Sequence, residues 1–130
     1  MTVSPEPTPY DALGGEAAMR ALVDRFYELM DELPEAQPAR RLHPQDLGEV
    51  RQKLFEYFSG WLGGPPLFET KYGHPRMRAR HMPFAIGSAE RDAWLLCMKQ
   101  AFEEVLPAGE VRDAFWRRVL GLADFMRNQD

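Results

Sequence analysis

Apolar residues recur at helical spacing in four separate stretches of this chain, and that pattern constrains its fold more than any other feature. Within each stretch the apolar positions lie three and four residues apart, which places them on one face of an amphipathic helix. The pattern predicts helices at residues 16–32, 46–62, 88–106 and 110–127. No convincing alternation of apolar and polar residues indicates a strand, so the sequence predicts an all-α fold.

Glycine and proline separate these stretches. Gly14-Gly15 precedes the first helix, and Gly63-Gly64-Pro65 ends the second; both are typical helix breaks. Asp46 and Glu49 have the spacing of a capping box at the start of the second helix. Ser88 is the expected N-cap of the third.

The length of 130 residues favours a single domain. Residues 1–9 are expected to form a flexible leader and residues 10–130 the domain. The leader has neither the basic nor the apolar region of a signal peptide, and no apolar run is long enough to span a membrane, so we expect a cytoplasmic protein without membrane contact. The single cysteine, Cys97, excludes an internal disulfide and is expected to be a small buried side chain.

A cationic segment runs from Lys71 to Arg80. It holds four cations and no acid, in a chain with 16 lysines and arginines against 20 acids. Such a segment is typical of a solvated surface, a nucleic-acid contact or a site for a small anionic ligand. His81 follows directly, and Pro83 limits the continuation of a helix. A histidine at the end of a short helix, beside arginines and apolar residues, is well placed to ligate the metal of a large, apolar, anionic cofactor such as haem.

The sequence argues against several other kinds of site. No pair of its three histidines, His43, His74 and His81, has the spacing of a zinc hydrolase. There is no glycine-rich phosphate loop and no serine or cysteine nucleophile motif. Haem needs only one strong protein ligand, so a single well-placed histidine suffices.

Four features together resemble the truncated haemoglobins, specifically their second group. They are the segment GHPRMRARHMPFAIG (73–87), the segment ERDAWLLCM (90–98), the Phe26-Tyr27 pair and the Gly63-Gly64-Pro65 break. The resemblance runs from about Tyr10 to the C-terminal helix. It implies a truncated globin fold, in which two antiparallel helix pairs form a two-over-two sandwich around haem b.

The resemblance also implies a role for individual residues. His81 matches the proximal iron ligand, with its second ring nitrogen donating to a backbone carbonyl or water. Arg80 is expected to pair with a haem propionate, helped by Tyr72 or another basic residue. The side chains expected to pack against the macrocycle are Phe68, Met77, Phe84 and Ile86. Those expected to line the rest of the haem pocket are Val50, Leu54, Tyr57, Phe58, Trp94 and Met98.

On the distal side, Val50 matches the position of the myoglobin-type distal histidine but cannot donate a hydrogen bond. The resemblance assigns that role to Tyr27, Trp94 and His43. Donors aimed at bound oxygen stabilise its developing negative charge, which implies slow release and suits a sensor, scavenger or redox catalyst better than oxygen transport. For His43 three roles stay open: donating to the ligand, bonding to Tyr27, or ligating the iron.

Three functions follow as hypotheses. The first is a haem protein that binds oxygen, carbon monoxide, nitric oxide or peroxide. The second is an enzyme, either a nitric oxide dioxygenase, which requires a reductase partner, or a peroxidase-like protein with His43 as its acid or base. The third is a helical module whose residues 71–80 contact an acidic protein or nucleic acid, although a net charge of −4 argues against nucleic acid. Monomer and homodimer both remain open.

Overall fold

The computed structural model describes residues 7–129, and most of that part of the chain is helical. Within that part there is no β-strand, and no helix is long and apolar enough to cross a membrane. The helices are α1 Pro9–Ala12, α2 Gly15–Glu32, α3 Gln37–Arg40, α4 Gly48–Trp61, α5 Leu67–Tyr72, α6 Met77–His81, α7 Ser88–Val105 and α8 Glu110–Met126, with a 3-10 turn at Pro34–Ala36. The all-α prediction is confirmed, and its four long helices correspond to α2, α4, α7 and α8.

The four long helices enclose one core. Helix α2 packs against both α4 and α7, and α7 packs against α8. Phe115 of α8 closes the remaining side, because its ring meets Phe58 of α4 edge-on at a centroid distance of 5.2 Å. Cys97 of α7 is fully buried, as expected, and burial raises the pKa of its thiol to about 11. It is therefore a packing residue in its protonated form.

The first six residues of the predicted leader, 1–6, lie outside the described residues. The rest of it takes part in the fold, because the Thr8 hydroxyl oxygen accepts the backbone N–H of Asp11 at 3.1 Å and caps α1. The Tyr10 N–H donates to the carbonyl of Leu62 at 3.0 Å. Helix α1 is thereby attached to the end of α4.

The N-terminal caps predicted for two helices are wrong. At α4, the Asp46 carboxylate accepts the N–H of Gly48 at 2.8 Å, only two residues ahead, so no capping box forms. At α7, Ser88 is already the first helical residue and Gly87 occupies the cap. The Glu90 carboxylate accepts the Gly87 N–H at 2.7 Å, and this N–H has no partner within the helix.

Helix α4 has two apolar faces that differ in burial. The first face buries Phe55 and Phe58 almost completely, and Leu62 at the helix end continues it. The other face presents a stripe at helical spacing that consists of Val50, Leu54, Tyr57 and Trp61, all of them half-buried. This stripe packs against the edge of the core and still leaves apolar surface open to a further apolar group.

The bend after α4 depends on a close approach between Gly64 and Tyr10. A Cβ atom added at Gly64 would lie 2.5 Å from the Tyr10 ring, well inside van der Waals contact. Gly63, just before it, has a φ of +90°, a conformation that favours glycine. The Gly63-Gly64 break therefore both turns the chain and admits an aromatic ring.

Gly64→Ala is expected to lower the free energy of unfolding by about 1–3 kcal/mol, because the Tyr10 ring must move to admit the methyl group. The midpoint of urea unfolding measures this. Gly121→Ala is the matched control, since its Cβ would meet nothing within 4 Å in the middle of α8. That change should stabilise the protein by about 0.5–1 kcal/mol. Equal midpoints for the two variants would argue against the steric account.

Candidate functional site

His81 is held in one tautomer by its own helix. It is the last residue of α6, and its Nδ1 lies 2.7 Å from the carbonyl oxygen of Met77, one turn earlier. A carbonyl only accepts hydrogen bonds, so Nδ1 carries the proton. In the neutral form of the ring the lone pair then lies on Nε2, which is the arrangement that a metal ligand requires.

Three arginines surround this histidine without a carboxylate partner among the described residues. Arg76, Arg78 and Arg80 are all exposed, whereas most other cations of the chain form ion pairs. The Arg80 Nε atom donates to the carbonyl of Pro75 at 2.6 Å, and its guanidinium lies 5.3 Å from the centre of the Phe68 ring. The surface beside His81 thus offers positive charge to an anionic group.

The predicted propionate helper Tyr72 is engaged elsewhere in this structure. Its hydroxyl donates to the Glu56 carboxylate at 3.1 Å, and the Lys71 ammonium lies against the other oxygen of that group. Burial raises the pKa of the Glu56 carboxyl, but hydrogen bonds from Lys71, Tyr72 and Gln52 outweigh it and hold that pKa below its usual value. Sequence reasoning missed this fully buried acid, because nothing in the helical pattern of α4 shows which acid finds a partner on α5.

Tyr27, His43 and Trp94 lie in one aromatic cluster, although they come from three different parts of the chain. Phe26 connects them: its ring meets Trp94 at 5.1 Å and Tyr27 at 4.7 Å, both edge-on. Tyr27 in turn meets His43 at 5.9 Å. Phe26 and Tyr27 are neighbours on α2. Through their rings, His43 from the segment after α3 and Trp94 from α7 belong to one cluster.

Tyr27 is almost completely buried, with only 4% of its surface exposed. Its neighbours in the aromatic cluster cover it. Burial raises the pKa of the Tyr27 phenol well above its ordinary value, and the nearby charge of Arg51 opposes this only in part. Tyr27 is therefore a protonated hydrogen-bond donor throughout the physiological range.

His43 is neutral and has a fixed tautomer as well. Burial lowers the pKa of its imidazole, and the charges of Arg40 and His81 lower it further, although the backbone bond to Ala39 opposes them. That bond joins Nδ1 to the Ala39 carbonyl at 2.8 Å, so Nδ1 carries the proton. The Nε2 atom of His43 can accept a hydrogen bond but cannot donate one.

The remaining predicted pocket residues fall into two groups. Phe58 and Met98 are fully buried in the protein core. Others remain partly open: Phe84 is 45% exposed, and the half-buried residues are Val50, Leu54, Tyr57, Met77, Ile86 and Trp94. Phe68 is buried, with its ring 6.1 Å from that of Tyr57. The open group lies on α4, α6, α7 and the turn before α7.

These features together fit haem. The site offers an imidazole nitrogen on α6, partly open apolar side chains on α4 and α7, and arginines on α6 that have no carboxylate partner among the described residues. Haem needs one strong axial ligand, a flat apolar wall and positive charge for its propionates. Asn128, which sequence reasoning did not single out, adds hydrogen bonds to the turn behind His81. A lone asparagine after α8 gives no sequence signal for that contact.

Comparison with known proteins gives a consistent result. The family described as bacterial-like globin matches residues 8–128. Group 2 truncated hemoglobin YjbI from Bacillus subtilis is 42% identical over 121 residues, which cover 93% of this chain and 89% of the relative.

Two solved structures show the same relationship. The group II 2-on-2 hemoglobin of Agrobacterium tumefaciens is 47% identical, with a TM-score of 0.95 over 99% of this chain and 100% of that one. The cold-adapted truncated hemoglobin of Pseudoalteromonas haloplanktis is 43% identical, with a TM-score of 0.92 over 95% of this chain and 100% of that one. The helical arrangement is thus the two-over-two globin fold that the sequence resemblance implies. The chain therefore belongs to the bacterial-like globins, a haem-binding and oxygen-binding family, and within it to the group II truncated haemoglobins.

Proposed function

We propose that this chain binds haem b through Nε2 of His81 and holds a diatomic ligand, oxygen first, beside Tyr27, Trp94 and His43. The observation that carries the proposal is the 2.7 Å hydrogen bond from Nδ1 of His81 to the Met77 carbonyl. It leaves Nε2 as the ring nitrogen that can ligate iron. When bound, haem supplies the iron centre for oxygen, carbon monoxide, nitric oxide or peroxide. The chain supplies the axial nitrogen, the apolar walls and the hydrogen bonds.

The hydrogen-bond donors for a bound ligand are Tyr27 and Trp94. The Trp94 indole N–H can only donate, and the Tyr27 phenol keeps its proton because of burial. His43 donates its single N–H to the Ala39 carbonyl, so its other ring nitrogen, Nε2, can only accept a hydrogen bond. Of the three roles open to His43, this geometry favours acceptance of the Tyr27 hydroxyl proton over donation to the ligand. The Tyr27 hydroxyl has a single proton, so it donates to His43 in the absence of a ligand and to the ligand when one is bound.

Trp94→Phe is expected to raise the oxygen dissociation rate about 5- to 150-fold, since one donor hydrogen bond of roughly 1–3 kcal/mol is lost. Stopped-flow replacement of oxygen by carbon monoxide measures this rate. Trp116→Phe is the matched control, because that indole packs against Phe102 of the core at 5.2 Å. An oxygen dissociation rate that is the same in both variants would remove Trp94 from this role.

Slow release favours redox chemistry of oxygen, nitric oxide or peroxide over bulk oxygen transport. Donors in a site from which water is excluded stabilise a charged ligand strongly, and the aromatic cluster around Tyr27 excludes water. A continuing reaction with nitric oxide would use a separate reductase to restore the ferrous state.

A second candidate function, peroxidase-like turnover, is favoured by the state of His43. A neutral imidazole with an unprotonated Nε2 is a base that would take a proton from hydrogen peroxide and return it to the departing oxygen as water forms, while haem, when bound, would supply the two electrons for breaking the O–O bond. Burial lowers the pKa of this imidazole, so the base form persists at neutral pH. Of Tyr27, Trp94 and His43, His43 is the residue that can act as this base, because the other two are hydrogen-bond donors.

A further inference from the structure

The turn between α6 and α7 is held by a side chain from beyond α8. The Asn128 amide donates to the carbonyls of Phe84 at 2.8 Å and of His81 at 3.3 Å. Its oxygen accepts the N–H of Ile86 at 3.0 Å. One amide group thus pairs with the last carbonyl of α6 and with two backbone groups of the turn 82–87, which has no regular secondary structure.

The backbone around Asn128 pairs with the same turn. The Ile86 carbonyl accepts the N–H groups of Asn128 at 2.8 Å and Gln129 at 3.0 Å. Both polar backbone groups of Ile86 are therefore bonded to this segment. Only a side chain with both donors and an acceptor completes the pattern, which restricts the position to an amide.

Ionic and polar contacts fasten the same segment to the helices on either side of the turn. Arg78 of α6 donates to the carbonyl of Phe125 at 3.3 Å. In the first turn of α7, Arg91 pairs with Asp124 at 2.9 Å. Residues 124–129 therefore form a strap across the turn that follows His81.

We propose that Asn128 is a positioning residue for the iron ligand: through the His81 and Phe84 carbonyls it fixes the end of α6 and thus the direction of the His81 ring. The inference rests on the proposed function of His81. A helix of five residues has little stability of its own, and its last carbonyls have no partners within the helix. The His81 carbonyl accepts the Phe84 N–H at 3.0 Å, and Asn128 adds a second donor to it at 3.3 Å from outside the α6–α7 segment.

The test measures how fast haem leaves the protein. Asn128→Ala is expected to release haem to excess apomyoglobin about 5- to 10-fold faster, because the turn loses its hydrogen bonds. Asn128→Asp keeps the size and the acceptor but removes both N–H donors. It should release haem at least as fast as Asn128→Ala does. Gln129→Ala is the matched control, since the Gln129 side chain contacts only the Asn128 amide oxygen, at 3.4 Å. It should keep the wild-type rate.

Resonance Raman spectra of the reduced proteins separate positioning from general stability. The iron–histidine stretching band should shift or broaden in both Asn128 variants and stay unchanged in Gln129→Ala. A residue that only stabilised the fold would lower the unfolding midpoint and leave this band alone. Wild-type haem release and a wild-type band in both Asn128 variants would overturn the inference. Absence of a haem spectrum in the wild-type protein would instead overturn the proposed function itself.

Discussion

His81→Ala is expected to abolish stable haem binding. The His81 Nδ1 bonds to the Met77 carbonyl and Nε2 has no bond among the described residues, so in the proposed site the variant would lose the axial nitrogen while the apolar side chains and the arginines stay. Changes to residues that merely support a metal ligand typically cost about 10- to 100-fold in affinity, and loss of the ligand itself should cost more. Titration of the apoprotein with hemin, followed at the Soret band, measures the change.

His74→Ala is the control for this experiment. His74 lies in the same cationic segment and is exposed, and its ring accepts the N–H of Arg76 at 3.1 Å. It should bind hemin like the wild type. Free imidazole should restore part of the haem binding of His81→Ala by occupying the vacated position. A five-coordinate ferrous spectrum of wild-type form in His81→Ala would refute the assignment of the ligand.

His43→Phe should slow the reaction with hydrogen peroxide by roughly 100-fold or more, since a positioned base typically contributes about 10²–10⁴ to such a rate. Phenylalanine keeps a planar ring next to Tyr27 but cannot take a proton. The rate is measured from the loss of the ferric spectrum after stopped-flow mixing with peroxide. Because His43 is separate from the iron ligand, haem binding should be unchanged.

Tyr27→Phe provides the comparison for the peroxide experiment. It removes a donor but leaves the base, so its peroxide rate should stay within a small factor of the wild-type rate. If His43→Phe reacts as fast as the wild type, His43 is not the base and the peroxidase-like function loses its support. The proposed role of Tyr27 and Trp94 in oxygen binding would be unaffected by that outcome.

The helices were predictable because their signals are local. Apolar spacing marks the long helices, and the Gly63-Gly64 pair marks a break, whatever the rest of the chain does. The caps failed because several neighbouring residues compete for the same N–H groups: Asp46 bonded to Gly48, and Glu90 bonded to Gly87. Such a choice depends on the path of the preceding loop, which periodicity does not describe.

The long-range part of the site prediction came from the family resemblance. His81, Tyr27 and Trp94 come from α6, α2 and α7, and no spacing rule places them together. Asn128 and the buried Glu56 were not found, because their partners lie on other elements and neither residue belongs to a motif. The half-exposed face of α4 likewise became visible only once the core showed which apolar residues it covers.

The most direct measurement of the central claim is the visible absorption spectrum of the purified protein in its ferric, dithionite-reduced and carbon-monoxide-bound forms. If His81 carries haem iron as described, a strong Soret band appears and shifts when carbon monoxide is added. A six-coordinate low-spin ferrous form before that addition would show that His43 or Tyr27 occupies the sixth position. If no Soret band develops even after hemin is added, the chain does not hold haem and the account is contradicted.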